Sequence, residues 1–221
     1  MSYTTDVMKL ISNPDEFFSE MKSRDAKLSR PALIVLLLAT LVALNQYVLV
    51  SKLSEAVPEK LQTFFKIGGY IGIAGSFIGV FAVWLIIAAI MHGLSAFFEG
   101  KGDFRRTFEF TGYGFLPSLI GSLITTPMSL YYITNAEIPE ISLAQLQSPD
   151  AVKAAVLSII PRDLIYSNLI INIAVTSWSL TIWIFALRHA RELELREAFI
   201  CASMPTMLFA VYQVWSILKL L

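Results

Sequence analysis

Residues 67–97 read IGGYIGIAGSFIGVFAVWLIIAAIMHGLSAF, a run of 31 in which only His92 titrates near neutrality. A helix rises about 1.5 Å per residue, so about 20 residues cross a hydrocarbon core of about 30 Å. This run reads as a membrane span, and it overshoots a bilayer by several turns unless it is tilted or broken. Four further runs share the pattern: 31–50, 112–132, 164–187 and 198–218. Apart from the thiol of Cys201 they hold no group that titrates near neutrality. Inside lipid every backbone N–H and C=O must be paired within its own segment, which makes all five runs helices. The expected fold is all-α: a five-helix transmembrane domain over 31–221, behind a cytoplasmic amphipathic segment over 1–30, with short surface helices added.

Composition agrees with lipid as the solvent. The chain has 221 residues, 56% hydrophobic and only 15% charged, against about 25% charged in an average soluble domain. Seventeen basic residues balance seventeen acidic ones, so no nucleic-acid footprint is present. A lone cysteine forms no internal disulfide and no thiolate metal site, and Cys201 reads as a small packing residue. The first thirty residues contain no apolar signal-peptide core, so the first span is expected to act as its own insertion signal.

Basic residues orient the spans. Lys9, Lys22, Arg24, Lys27 and Arg30 precede the first span, Lys101, Arg105 and Arg106 follow the second, and Arg188, Arg191 and Arg196 follow the fourth. Only Lys52, Lys60, Lys66, Lys153, Arg162 and Lys219 fall on the other side. The bias places the N-terminus in the cytoplasm and the C-terminus opposite it.

Several segments invite closer reading. Asn13-Pro14-Asp15-Glu16 has the form of a capped helix start, with Pro14 at the first helical position and Glu16 closing a capping box. The helix that follows carries Phe17, Phe18 and Met21 among charges, and reads as an interfacial anchor or a docking surface for a cytosolic partner. Gly68, Gly72 and Ser76 recur every fourth residue, as do Gly75 and Gly79. Such a stripe lets a neighbouring backbone approach, within one bundle or at a homodimer seam. Pro117 and Pro127 are expected to kink the third span. Thr111-Gly112-Tyr113-Gly114 superficially matches a potassium filter but has no pore helix and the wrong first residues. The outer loop 133–163 is expected to hold a short helix after Ser148-Pro149-Asp150, ended by Pro161. The charged stretch around His189 and Arg191 reads as a solvated loop, and His92 as an interfacial histidine.

Polar groups inside the membrane are costly and mark candidate sites. Asn45, Gln46, Asn168, Asn172 and Gln213 all fall toward the outer half of their spans. A hydrogen-bonded amide cluster there is either interhelical glue or a path for a headgroup or small solute. No HExxH motif, phosphate loop, GxSxG elbow or paired intramembrane acid occurs. The chain therefore reads as non-enzymatic, with no cofactor or metal.

The order of motifs carries a resemblance. An NPDEFF helix precedes the first span, MHGLSAFFEGKGDF ends the second, EFTGYGFLP opens the third, and WIFALRHARELELREA follows the fourth. Its sharpest residues are Gly100, Gly102, Gly112, Tyr113, Pro117 and Trp183. Across residues 8–221 the chain resembles the Yip family of Ypt/Rab-interacting membrane proteins. The resemblance implies five spans and a cytoplasmic N-terminus. Eukaryotic members act in vesicle traffic between endoplasmic reticulum and Golgi, bind lipidated Rab-type GTPases and form complexes with one another. This chain lacks their long polar N-terminal region, which weakens the case for GTPase binding and fits a prokaryotic member in the cell membrane. The expected role is a membrane-organising adaptor, with Phe17, Phe18, Arg105, Arg106 and Arg188 as its surface toward partners or lipid. Its partners would be membrane lipids, a second copy or another membrane protein, and a cytosolic protein. The alternative is a transporter or scramblase using the amide cluster.

Overall fold

A computed structural model describes residues 3–137 and 162–220, together with 148, 150, 154 and 157. Its helices are α1 (Tyr3–Ser12), α2 (Pro14–Lys22), α3 (Ser29–Ala56), α4 (Glu59–Ala96), α5 (Phe104–Tyr113), α6 (Leu116–Asn135), α7 (Arg162–Arg191) and α8 (Leu195–Leu220). No strand occurs among the described residues. The all-α membrane class is as expected, whereas the expected outer-loop helix falls almost entirely outside the described residues.

Four helices, α3, α4, α7 and α8, are long and apolar enough to cross a membrane. The expected third span corresponds to α6, 20 residues with no charge but diluted by Ser, Thr, Tyr and Pro. Its length of about 30 Å matches a hydrocarbon core, and it packs between α3 and α7. A count of five rests on taking α6 with the other four. The bundle closes on itself, because α3 also packs on α4, α7 on α8, and α8 on α4. Leu36, Ile71, Ile78, Leu123, Ile170 and Leu208 point outward and exposed. So much outward apolar surface suits lipid and not water.

Three expectations about the second and third spans change: packing of the glycine stripe within the bundle, the start of the third span, and a kink at Pro117. The second stays helical without a break over 38 residues. Its glycine stripe does not pack within the bundle: a Cβ added at Gly68, Gly75 or Gly79 meets nothing within 4 Å, and one at Gly72 meets only Gln46 at 3.9 Å. The close approach is at Gly69, where a Cβ would lie 2.2 Å from Val50. The packed face of α4 instead runs through Gly69, Trp84, Ala88, Met91 and Ser95, residues at helical spacing one position round from the stripe.

The third span starts later than residue 112. Gly112 and Tyr113 end α5, a separate short helix, and the chain turns before α6 begins at Leu116. Pro117 is therefore no kink. It sits in the first turn of α6, where a missing N–H costs nothing. Pro127 is the proline inside that helix. The turn is tight because Trp183 presses into it: its indole N–H donates to the Thr111 carbonyl at 2.8 Å. A Cβ at Gly114 would lie 2.0 Å from that indole nitrogen, and one at Gly112 2.6 Å from Pro31.

The best-packed core lies at the end where α5 sits. Leu10, Phe18, Met91, Phe110, Ile182 and Leu187 are all fully buried there. Gly114→Ala should therefore lower the thermal midpoint in detergent, by about 2 kcal/mol of overpacking. Gly75→Ala, facing open space, should leave the midpoint unchanged or raise it. Equal effects at the two positions would contradict this packing.

Candidate functional site

The three basic segments, far apart in sequence, meet at one end of the bundle. Asn13 caps α2 by accepting from the Glu16 amide at 3.3 Å, and its side-chain amide donates to the Glu16 carboxylate at 2.9 Å. This is the expected helix start. It is preceded by α1, whose Lys9 pairs with Glu16 at 2.7 Å and Glu20 at 2.6 Å. From α2, Asp15 reaches the end of α7, pairing with Arg188 at 2.9 Å and meeting His189 Nε2 at 2.7 Å. Lys22 pairs with Glu192 at 2.7 Å.

Phe17 and Phe18, expected as an exposed docking surface, are packed instead, with 4% and 0% of their surface exposed. Phe18 lies 4.8 Å from the Phe110 ring, and Phe17 meets Tyr113 edge-on at 5.2 Å. Their apolar area is worth more against α5 than at the surface, about 2 kcal/mol for each ring.

The loop after α7 is not simply solvated. Arg191 is 5% exposed. Its guanidinium donates to Ser95 Oγ at 2.7 Å, to the Gly100 carbonyl at 2.5 Å and to the Gly102 carbonyl. The Lys101 amide returns a bond to the Arg191 carbonyl at 2.8 Å. Gly100 and Gly102 make this possible. A Cβ on Gly100 would lie 2.8 Å from the Ser95 carbonyl. Gly102 has φ +92° and its Cβ would sit 2.6 Å from the Ala190 carbonyl, a conformation and a fit open to glycine alone.

A second buried charge holds the linker between α2 and α3. The Glu109 side chain is 0% exposed and pairs with Arg106 at 2.6 Å. It also accepts from the Lys27 amide at 3.1 Å. Arg106 donates in turn to the Arg24 carbonyl and covers the Phe110 ring at 5.2 Å. Burial pushes the Glu109 carboxyl up from its ordinary value, against the Lys27 amide and Arg106, which hold it down. Arg106 is thus committed to this pair, and Arg188 to Asp15. Of the expected basic contact residues, Arg105 is the one left fully exposed.

The amides do not gather into one cluster, because α6 stands between α3 and α7. Asn45 donates to Thr126 Oγ1 on α6 at 2.7 Å and to the Leu41 carbonyl. Gln46 lies toward Gly72 on α4. Asn172 donates to the Asn168 carbonyl at 3.0 Å. Asn172 and Gln213 line a shallow groove between α7 and α8, of about 130 Å³. Of these bonds only that from Asn45 to Thr126 joins two helices; the other two stay within a single helix. Among the described residues no three His, Cys, Asp or Glu side chains are grouped to hold a metal.

The Yip1 domain family model matches residues 8–217. The chain belongs to the Yip1 domain family. It is also 38% identical over 126 residues to an uncharacterized protein of Methanocaldococcus jannaschii, covering 57% of this chain and 89% of that one. An archaeal relative agrees with the expectation of a prokaryotic member. No solved structure matches.

Sequence reasoning missed Glu109, Arg191 and Asp15. The signal for the first was present in Arg106 and Glu109, three apart on a helix face between aromatic residues. Two outcomes follow. Arg191→Lys keeps the charge but not the planar fork, and should cost about 2 kcal/mol by stranding carbonyls, read as a lower thermal midpoint. For Glu109 the raised folded pKa means its contribution to stability is full below the ordinary glutamate pKa and falls as pH rises through the folded value. Glu109→Gln should flatten that fall in a midpoint-versus-pH series, and an unaltered profile would count against a buried ionisable Glu109.

Proposed function

We propose that this Yip1 family protein is a non-enzymatic membrane organiser whose basic end faces the cytoplasm of a prokaryotic cell and recruits partners there. The observation that supports this reading is the locking of three basic segments into a single platform. Contacts such as Arg188–Asp15 join residues 173 positions apart, so the face is rigid and composed from the whole chain. Positive charge collected at one end is what the positive-inside rule puts on the cytoplasmic side. Exposed Lys101 and Arg105 lie on that platform and serve as the recruiting contacts. Phe17 and Phe18 hold the platform together from inside.

Orientation and recruitment are tested separately. With Cys201 replaced by Ala, a cysteine at Asp25 should resist a membrane-impermeant maleimide in intact cells, while one at Asn135 should react. The reverse pattern would overturn the orientation. A photo-crosslinking residue at Arg105 in native membranes should trap a specific cytosolic polypeptide. Lys101→Glu should abolish that adduct without loss of protein from the membrane. Adducts insensitive to Lys101→Glu, or none beyond those formed from Asn135, would refute recruitment through this face.

A further inference from the structure

Beside the Glu109 pair, the linker between α2 and α3 borders a cavity of about 330 Å³. Arg24, Lys27 and Arg30 line it, with Asp25 as the one acid, and Tyr113 and Met21 complete the wall. The Lys27 ammonium makes no hydrogen bond or ion pair among the described residues. Arg30 is bridged to Asp6 at 2.6 Å. Tyr113 is 4% exposed, and its hydroxyl is buried with no hydrogen-bond partner among the described residues. An orphaned buried donor is expensive, about 1–3 kcal/mol, and calls for an acceptor that is part of the working state.

A second, apolar crevice of about 110 Å³ adjoins it. Val7, Leu10, Phe17, Leu33 and Ile34 line this one, with Asp6 at its edge held by Arg30, and it shares both Arg30 and Tyr113 with the first. Val7 and Leu33 are 40% and 50% exposed, so its mouth opens along the first turns of α3, at the level where a headgroup region meets hydrocarbon. A cationic cradle continuous with an alkyl-sized slot has the shape of one kind of ligand. Free phosphate would fill only the polar half, and a neutral apolar molecule would leave the Lys27 ammonium and the tyrosine unanswered.

We propose that this paired cavity is a binding site for the phosphate group of an anionic phospholipid. Arg24, Lys27 and Arg30 take the charge, Tyr113 donates its orphaned hydroxyl, and the lipid chain lies against Val7, Leu10, Leu33 and Ile34. The site depends on α1 and the linker being docked on α5, and not on the recruiting role proposed above. It gives the N-terminal segment a ligand as well as a packing function.

Native mass spectrometry of the full-length, delipidated protein in detergent tests it, with phosphatidylglycerol, phosphatidylcholine and inorganic phosphate added in separate titrations. One tightly held phosphatidylglycerol is expected, at least about fivefold tighter than phosphatidylcholine, with phosphate alone failing to compete at equal concentration. Lys27→Gln, at an exposed position, should weaken phosphatidylglycerol by about fivefold. Tyr113→Phe should weaken it too while leaving the lipid-free thermal midpoint unchanged or raised, an outcome a purely structural tyrosine would not give. Equal retention of the two lipids, indifference to both substitutions, or phosphate competing as well as the lipid would each overturn the proposal.

Discussion

The Arg191 guanidinium is the contact on which the basic end of this bundle depends. Where α4 stops, the chain must reverse through Gly100 and Gly102, and the reversal leaves two carbonyls pointing inward. Near hydrocarbon, water cannot be relied on to satisfy them. One planar cation reaching from the end of α7 satisfies both and Ser95 as well, with donors fixed in a fork that a flexible ammonium lacks. Arg191 is held in place by the way its own helix ends. Glu192 takes φ +56°, and the Leu193 amide returns to the Arg188 carbonyl at 3.0 Å, the long bond of a Schellman-type stop. Two helix ends therefore specify each other.

That clasp fixes the turn from which α5 starts, and α5 does the rest. Arg106, Glu109, Phe110 and Tyr113 share one face of it. Glu109 ties down the linker through the Lys27 amide, and Phe110 with Tyr113 receives Phe18 and Phe17. The N-terminal helices are thus part of the core of the membrane domain, although the sequence separates them by charge. A buried carboxylate with a single guanidinium partner is a costly way to hold a loop, since removing either charge alone strands the other. Its merit is register: only one placement of the linker presents the Lys27 amide to Glu109 while Arg106 meets the Arg24 carbonyl.

The bilayer was legible in the chain because hydrocarbon imposes a length and a composition that local sequence alone satisfies or violates. The class, the long second span, the cap at Asn13 and the gathering of basic loops follow from that. What composition did not reveal was which charges leave water. Arg188, Arg191 and Arg106 look alike in sequence, yet one is half exposed with an acidic partner, one is buried against carbonyls and one neutralises a buried acid. The difference arises from contacts between residues some 80 to 170 positions apart, which no periodicity encodes. Packing of the glycine stripe within the bundle failed for a related reason. Spacing of four says that small residues share a face of α4, but not whether a neighbour lies on that face, and here α3 lies one residue round, at Gly69.

The break between α5 and α6 connects these points. Gly114, with Trp183 occupying the space a side chain would need, ends α5 and lets α6 restart at Leu116 with Pro117 in its first turn. α5 runs back along α4, with Phe104 beside His92 and Phe108 stacked on Trp84, before the uncharged α6 begins. The same turn strands Tyr113 at the junction, ring against phenylalanine and hydroxyl without a partner. Burial raises its pKa, so that hydroxyl remains a donor across the physiological range. A donor that stays protonated, in the wall of the cavity that Arg24, Lys27 and Arg30 also line, follows from the same chain break.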